Sequence, residues 1–407
     1  MPPDQTAART ILFVNIAHAF VHFAVLIYPT AVIAIAAERG LGYAELIGLA
    51  TGTFLAFGLL SLPVGWVADR VGRRNLLAAF FLGSGASCVA LAFATTPLVF
   101  AALLLLLGCF AAIYHPVGSA MLVSNASRLG RELGRNGVWG NLGAALASGV
   151  TAAIAAQLGW RAAFAIPGLI AVAVGALFIL QVPSERGATT KPPGETAKTL
   201  PLANPVAIAT LYLVAVVAGG ITFNVVTIAL PKVIDERLGF ALPLSAVGTL
   251  ATSVFILGAL TQLTMGRLVD RIELPKLFVG LSLFQPLGLA VATTFLGVPM
   301  LVGMILAMAS IYGQVVINDA MIARYVAPHL RAKAFGLRYF LGFGVSGLAV
   351  PMIAVLHGLG GFPAVLGITG LFGATVFASA IGFLMLARPA HIVPAPAGAE
   401  IERGGAA

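Results

Sequence analysis

The chain has 407 residues, 60% of them hydrophobic and 9% charged, with 23 Lys+Arg against 14 Asp+Glu and a net charge of +9. A globular chain is about 25% charged, so a soluble enzyme, a nucleic-acid binder and a disordered chain are excluded. An outer-membrane barrel is excluded as well, because its alternating strands read as only weakly hydrophobic. The apolar content suffices for about a dozen crossings at roughly 20 residues each.

Taken in chain order, apolar runs between polar or Gly/Pro breaks predict helices at 11–37, 45–68, 76–94, 97–122, 136–158, 161–181, 204–230, 244–266, 276–295, 299–323, 335–358 and 362–387. The expected fold class is therefore an all-α membrane protein of twelve transmembrane helices. The longest polar stretch, 182–203, is rich in Pro, Gly, Thr and charge and divides the helices six to six. This predicts an N-terminal six-helix bundle (1–181), a cytoplasmic linker (182–203), a C-terminal six-helix bundle (204–387) and a disordered cytoplasmic tail (388–407). The first apolar run is too long for a signal-peptide core and is preceded only by Arg9, so no cleavable signal is expected. Cys88 and Cys109 fall inside apolar runs; nothing in the sequence points to a disulfide or excludes one, and the cysteines report no redox compartment.

With both termini on one side, 19 basic residues fall there and only 4 (Arg39, Arg161, Lys232, Arg237) fall on the other. Positive residues favour the cytoplasmic side, which predicts a multi-pass protein of the inner (plasma) membrane with both ends cytoplasmic. The basic balance is thus a topology signal, and no nucleic-acid partner is expected.

The two halves also repeat. Gly65, Asp69 and Arg70 between helices 2 and 3 match Gly266, Asp270 and Arg271 between helices 8 and 9 at an offset of 201, and Gly137 matches Gly336 more weakly. Such a parallel duplication is a standard transporter plan, with the substrate site between the halves near mid-membrane.

The motif Gly65-x-x-x-Asp69-Arg70-x-Gly72-Arg73-Arg74 resembles the loop 2–3 signature of the major facilitator superfamily. The resemblance covers about 11–387. It implies that Gly65 lets helices 2 and 11 approach closely, that the acid pairs near the start of helix 11, and that Arg70, Arg73 and Arg74 form a cytoplasmic charge cluster. A narrower resemblance, to the fosmidomycin-resistance group of drug exporters, rests on AHAFVHFAVLIYP (17–29) and IYHPVGSA (113–120). His18, Tyr28-Pro29 and His115-Pro116 match that group's pattern. His22 stands where the group has Asp; if that acid is the group's proton carrier, its loss either removes the coupling or transfers it to His22. Helix 5 lacks the Gly-Pro of the antiporter signature, and helix 4 lacks the Arg of many proton antiporters.

Polar side chains in a bilayer are expensive and mark function or interhelical bonding. Asn15, His18 and His22 share one face of helix 1, and His115 on helix 4 reaches a similar depth. The family fold places helices 1 and 4 on the central cavity, where these histidines could bind a polar or anionic substrate, carry a proton or bond helices together. Three imidazoles could in principle ligate a metal, but no acid or Cys joins them, so no metal and no cofactor are expected. Asn224 and Thr227 on helix 7, Tyr312, Gln314 and Asn318 on helix 10, Gln262 on helix 8, and the aromatics Tyr114 and Trp139 are further cavity candidates. Asp319 is the one acid inside an apolar run, with Arg338 or Arg324 as partner, in a coupling or a gate-closing role. Asp270 and Arg271 complete the gating set. Proline at 29, 116, 167, 231, 286 and 351 predicts kinks.

No Walker A loop, Rossmann glycine pattern, Ser/His/Asp set or CxxC pair is present, so neither ATP hydrolysis nor enzyme chemistry is expected. The function expected is secondary active transport by alternating access, foremost proton-coupled efflux of a small polar or anionic organic compound or drug. The alternatives are proton-coupled or exchange-type uptake of an organic anion and, more remotely, a transporter-like receptor or a lipid flippase. The expected partners are the small-molecule substrate, protons and the bilayer, with the chain a monomer.

Overall fold

The computed structural model describes residues 3–183, 204–239 and 241–387. The expected tail and almost all of the expected linker, with Arg186, Lys191, Lys198, Arg388 and Arg403, lie outside the described residues. The elements among the described residues are all helical: α1 (Pro3–Arg39), α2 (Tyr43–Gly48), α3 (Thr51–Leu59), α4 (Ser61–Val71), α5 (Arg73–Leu91), α6 (Pro97–Ala111), α7 (Tyr114–Asn125), α8 (Leu129–Leu158), α9 (Trp160–Gln181), α10 (Pro205–Arg237), α11 (Leu244–Leu268), α12 (Leu274–Ser282), α13 (Phe284–Thr294), α14 (Gly297–Tyr325), α15 (Pro328–Gly344) and α16 (Ser346–Leu386). Only helices and closed barrels satisfy every backbone group inside lipid, and this composition takes the first route.

Ten runs among the described residues are long and apolar enough to cross a membrane, or eleven with the bent pair at Tyr43–Ala68. The last run, Ala334–Leu386, has 53 residues. At 1.5 Å per residue that is about 80 Å, more than twice the ~30 Å hydrocarbon thickness. It is two spans, divided where Gly360 and Gly361 leave helical geometry; Gly361 has φ 63° and ψ −161°, a conformation open only to glycine. The count is then the predicted twelve, and the chain is a multi-pass membrane protein.

Four spans are broken, and three breaks have the same cause. A proline clashes with the carbonyl four residues before it. Pro63 acts on Leu59, where α3 ends and the axis bends by 47°. Pro116 acts on Ala112, between α6 and α7, and Pro286 acts on Ser282, the last residue of α12. Span 11 breaks at Val345, near Pro351. Pro29, Pro167 and Pro231 sit inside uninterrupted helices.

The neighbour pattern repeats. Span 1 packs on span 5, span 2 on span 4 and span 3 on span 6, and the same pairings recur six spans later through α10·α16, α11·α14 and α13·α16. Two arginines repeat as well. Arg39, at the end of span 1, donates to the carbonyls of Ala94 and Thr95 beyond span 3 (3.1 and 2.5 Å). Arg237, at the end of span 7, donates to those of Ala292, Thr293 and Phe295 at the end of span 9 (3.1, 2.9 and 3.0 Å). A guanidinium at a helix C-terminus satisfies orphan carbonyls and meets the negative end of the dipole. Half of the four basic residues on the sparsely charged side are therefore helix caps.

The first six spans meet the last six mainly through span 2 against span 11 and span 5 against span 8. These contacts are tight at one end only. Call proximal the end where α1 begins and α16 finishes. Distally, Ser346 Oγ donates to the Phe54 carbonyl (3.2 Å), Thr252 Oγ1 donates to the Ala145 carbonyl (2.7 Å) and accepts from Gly149 N (3.0 Å), and Gly248 abuts Ala152 and Ser148. Near the middle Asn141 donates to Gln262 Oε1 (2.6 Å). Proximally, on the same four spans, a Cβ added at Gly65, Gly137, Gly266 or Gly336 would meet nothing within 4 Å. Among the described residues the interface is joined distally and parted proximally.

Candidate functional site

A polar cluster lies on spans 1, 4 and 5. The break before Pro116 starts α7 at Tyr114, which sets His115 in its first turn. His18 and His22 lie one turn apart on α1. The rings of His18, His22 and His115 form a triangle, with centroid separations of 5.1, 5.5 and 5.4 Å. One nitrogen from each lies within 4.8 Å of the others, and all three side chains are half-buried. Tyr114 stacks on His18 (4.9 Å, 23°), and the Phe57 ring packs tilted against His115 at 5.6 Å.

Asn136 on α8 holds this cluster together. Its carbonyl accepts from His18 Nδ1 (2.8 Å). Its side-chain amide donates to Asn15 Oδ1 (2.9 Å) and Tyr114 Oη (3.1 Å). A backbone carbonyl can only accept, so His18 carries its proton on Nδ1 and keeps its lone pair on Nε2. The close approach of α1 and α8 depends on glycine: a Cβ at Gly143 would run into the Ala19 backbone, and one at Gly140 would sit 2.5 Å from His18 Nε2. Asn15, His18, His22, Tyr114 and His115 are thus brought together, and Asn136 is a member that sequence reading missed.

The candidates of the second half gather separately on α10 and α14. Asn224 donates to its own helix at Gly220 (2.8 Å). Tyr312 is buried between Phe223 and Phe255 (5.8 and 6.4 Å) and abuts Gly258. Gln314 Nε2 and Asn318 Oδ1 are buried with no hydrogen-bond partner, as is Thr227 Oγ1. Buried polar atoms are rarely left so, and these offer a ligand or water both a donor and acceptors.

Among the gating candidates, Asp319 on α14 pairs with Arg338 on α15, whose Nη2 also reaches the Val315 carbonyl (3.3 Å). Arg324 turns instead to Asp270 (3.6 Å) and the Val269 carbonyl (2.5 Å), joining span 10 to the loop after span 8. Arg74 donates to the carbonyls of Ile179 and Val182 (2.5 and 2.9 Å), capping span 6. Arg70 and Arg271 are exposed and Arg73 is half-buried. Gly65 faces open space on the parted side, so the approach of span 2 to span 11 at this glycine is not made here. The side chain of Asp69 lies outside the described residues.

A second group missed by sequence reading seals the distal side. Tyr43, buried at the start of span 2, sets its ring on His357 (4.9 Å) and Phe362 (5.9 Å), with Lys232 Nζ 5.8 Å over its face. His357 Nε2 meets Glu236 (3.1 Å), and Lys232 meets Asp235 (2.6 Å) and Glu236 (3.4 Å). One aromatic ring from the first half thus sits on an ionic cradle of the second.

Comparison with known proteins agrees with this arrangement. The chain is 30% identical over 148 residues to the membrane sensor protein UhpC of Salmonella typhimurium, a match spanning 36% of this chain and 33% of that one. For UhpC of Escherichia coli the figures are 30% over 168 residues, 40% and 38%. The match therefore spans only about a third of the length of these curated relatives. In fold the chain resembles a bacterial homolog of the human lysosomal transporter Spinster, crystallised inward-facing. The unoccupied form has TM-score 0.69 and 12% identity over 94% of this chain and 95% of that one. The occupied form has TM-score 0.72 and 14% identity over 93% and 95%. The nucleoside transporter NupG gives TM-score 0.69 and 14% identity over 93% of this chain and all of that one. Residues 13–247, more than half of the sequence, match the family described as Major Facilitator Superfamily, and the chain belongs to that family.

Proposed function

We propose that this superfamily transporter is a secondary active one, working by alternating access, and that it couples export of a small polar or anionic organic compound to protons. One observation carries the reading: the cluster of His18, His22, His115, Asn15, Asn136 and Tyr114 lies at the depth where an interface joined at one end parts toward the other. A polar site at mid-span, beside an interface between two units that can tilt, supports alternating access.

In this reading residues 1–181 and 204–387 are the two moving units, which the recurrence of span pairings supports. Asn224, Tyr312, Gln314 and Asn318 form the opposing surface. The 19-to-4 bias of basic residues supports cytoplasmic termini in an inner membrane, so the proximal opening faces the cytoplasm. Gly65, Asp69, Arg70, Arg73, Asp270, Arg271, Asp319 and Arg338 then belong to the cytoplasmic gate, and Tyr43 with His357 to the outer one. His22, where the exporter group has an acid, is the proton carrier, and a monomer suffices. Export follows from the helix 1 and helix 4 resemblance; uptake of an organic anion is favoured instead by the missing Gly-Pro in span 5.

Proteoliposomes loaded with a pH dye test this. A panel of small organic anions and drugs, fosmidomycin among them, is added outside. Alkalinisation of the lumen means exchange against protons, and acidification means symport and the uptake reading. His22→Ala abolishes the pH signal while counterflow of the same compound persists. Binding of a compound without flux of compound or proton would replace transport with sensing, the property named for the UhpC relatives.

A further inference from the structure

We propose that His18, His22 and His115 form a binding site for a borderline-soft divalent transition-metal ion of the Zn²⁺, Co²⁺ or Ni²⁺ kind, with its fourth position open toward the parted interface. Among the described residues this is the one group of three or more His, Cys, Asp or Glu side chains placed to hold an ion. The site lies within the transport reading's polar cluster, but the binding it describes requires no transport.

Three features of the cluster point to an ion. The first is donor geometry. Bonds of 2.0–2.1 Å in a tetrahedron put ligand nitrogens about 3.4 Å apart. The nitrogens here lie within 4.8 Å of one another, so small rotations of the half-buried rings close the remaining gap. The second is the orientation of His18. Its Nδ1 donates to the Asn136 carbonyl at 2.8 Å. Ligating histidines commonly have such an outer partner, which fixes the tautomer, orients the ring and raises the basicity of the other nitrogen. The third is the seat of the His18 ring. A Cβ at Gly140 would press on the face of that ring, 2.5, 2.6 and 2.8 Å from Nε2, Cε1 and Cδ2. Glycine lets the ring lie flat against α8 in the orientation that its Nδ1 bond sets, and a side chain there would push it out of place.

The donor set also selects the ion. Neutral imidazoles suit zinc, cobalt, nickel and copper, whereas calcium and magnesium demand oxygen ligands. Three nitrogens without a carboxylate leave the ion's full positive charge in place, so the open position favours an anionic ligand or hydroxide. An ion there would give an anionic compound a contact that the imidazoles alone do not.

The test uses the full chain in detergent, purified through a tag without histidine. Zn²⁺ is titrated by calorimetry, and Co²⁺ is followed by its visible absorption, which is intense only in tetrahedral sites. The expected result is one ion per chain, with a dissociation constant below about 10 µM and a tetrahedral cobalt spectrum. His22→Asn and His115→Asn each weaken binding by at least about a hundredfold, since losing a ligand exceeds the 10–100-fold of losing an outer partner. Gly140→Ala weakens it with all three histidines present, and His357→Ala leaves it unchanged. A variant that binds no ion counts only if it elutes as a single species and melts cooperatively. Zn²⁺ raises the melting temperature of the unmutated chain and not of His22→Asn. Millimolar affinity in the unmutated chain, an octahedral cobalt spectrum, or equal affinity in the variant lacking all three histidines overturns the proposal. None of these readouts involves flux, so failure here leaves alternating access standing, and a chain that does not transport could still bind the ion.

Discussion

At the scale of single residues, Asn136 has the clearest consequences. Its amide satisfies two buried groups at once, Asn15 Oδ1 and Tyr114 Oη. Asn136→Ala strands both, and each stranded buried polar group costs about 1–3 kcal/mol, so melting in detergent drops by several degrees. His18 keeps its hydrogen bond, because that bond uses the main chain of residue 136. The substitution therefore lowers stability far more than it lowers zinc affinity, and equal losses of both would contradict this division of labour. Gly143→Ala is a harsher change of another kind: a Cβ there runs into the Ala19 backbone, which cannot swing aside as a side chain can. Overpacking of this kind costs about 1–3 kcal/mol, and thermal unfolding followed by tryptophan fluorescence measures it. The helix-1 half of the cluster was legible from the spacing of Asn15, His18 and His22. Asn136 was not, because the arginines around it read as a loop. The predicted helix began at 136, whereas α8 begins at Leu129, and those seven extra residues carry Asn136 two turns into the helix.

At the scale of elements, hydropathy located every span but not the breaks within them. Proline alone does not decide a break. Pro63, Pro116 and Pro286 end helices at the residue they clash with or one beside it, while Pro29, Pro167 and Pro231 are absorbed in continuous ones. Which outcome a proline has depends on the packing around it, which is tertiary information. The basic residues of the sparsely charged side carried a second meaning for the same reason: their charge was legible, but the carbonyls Arg39 and Arg237 cap belong to spans distant in sequence. The distal seal gives a prediction at this level. Tyr43 contributes two aromatic contacts and a cation–π contact between halves, each worth roughly 0.5–1.5 kcal/mol. Tyr43→Ala removes about 1.5 kcal/mol from the distally closed form, a roughly tenfold shift in the equilibrium. Spin labels at the exposed distal positions 98 and 296, in a background lacking Cys88 and Cys109, report it: the longer-distance population grows about tenfold. An unchanged distance distribution would show that the ring only fills space.

For the whole molecule, the glycines of the four interface spans separate two roles that one sequence motif cannot. Gly248 and Gly347, distal, are in contact across the interface; Gly65 and Gly336, proximal, meet nothing. A side chain at Gly65 is therefore free in the form described here and is obstructive only when the proximal side closes. Gly65→Leu is expected to leave the melting temperature within about 1 °C, in keeping with a change outside any packed feature, while removing the distally open population from the 98–296 distance distribution. The motif's expected close approach of spans 2 and 11 is thereby tested in the one conformation where it would exist. The double variant with Tyr43→Ala is the sharper measurement. Tyr43→Ala destabilises the distally closed form, and Gly65→Leu forbids the proximal closure that accompanies distal opening. If two rigid units rock about one site, the second change cancels the first and the distance distribution returns to its short form. If the two ends open independently, the double variant keeps the long-distance population of Tyr43→Ala, and coupled rocking of the halves is lost as the mechanism even though the fold remains that of the superfamily.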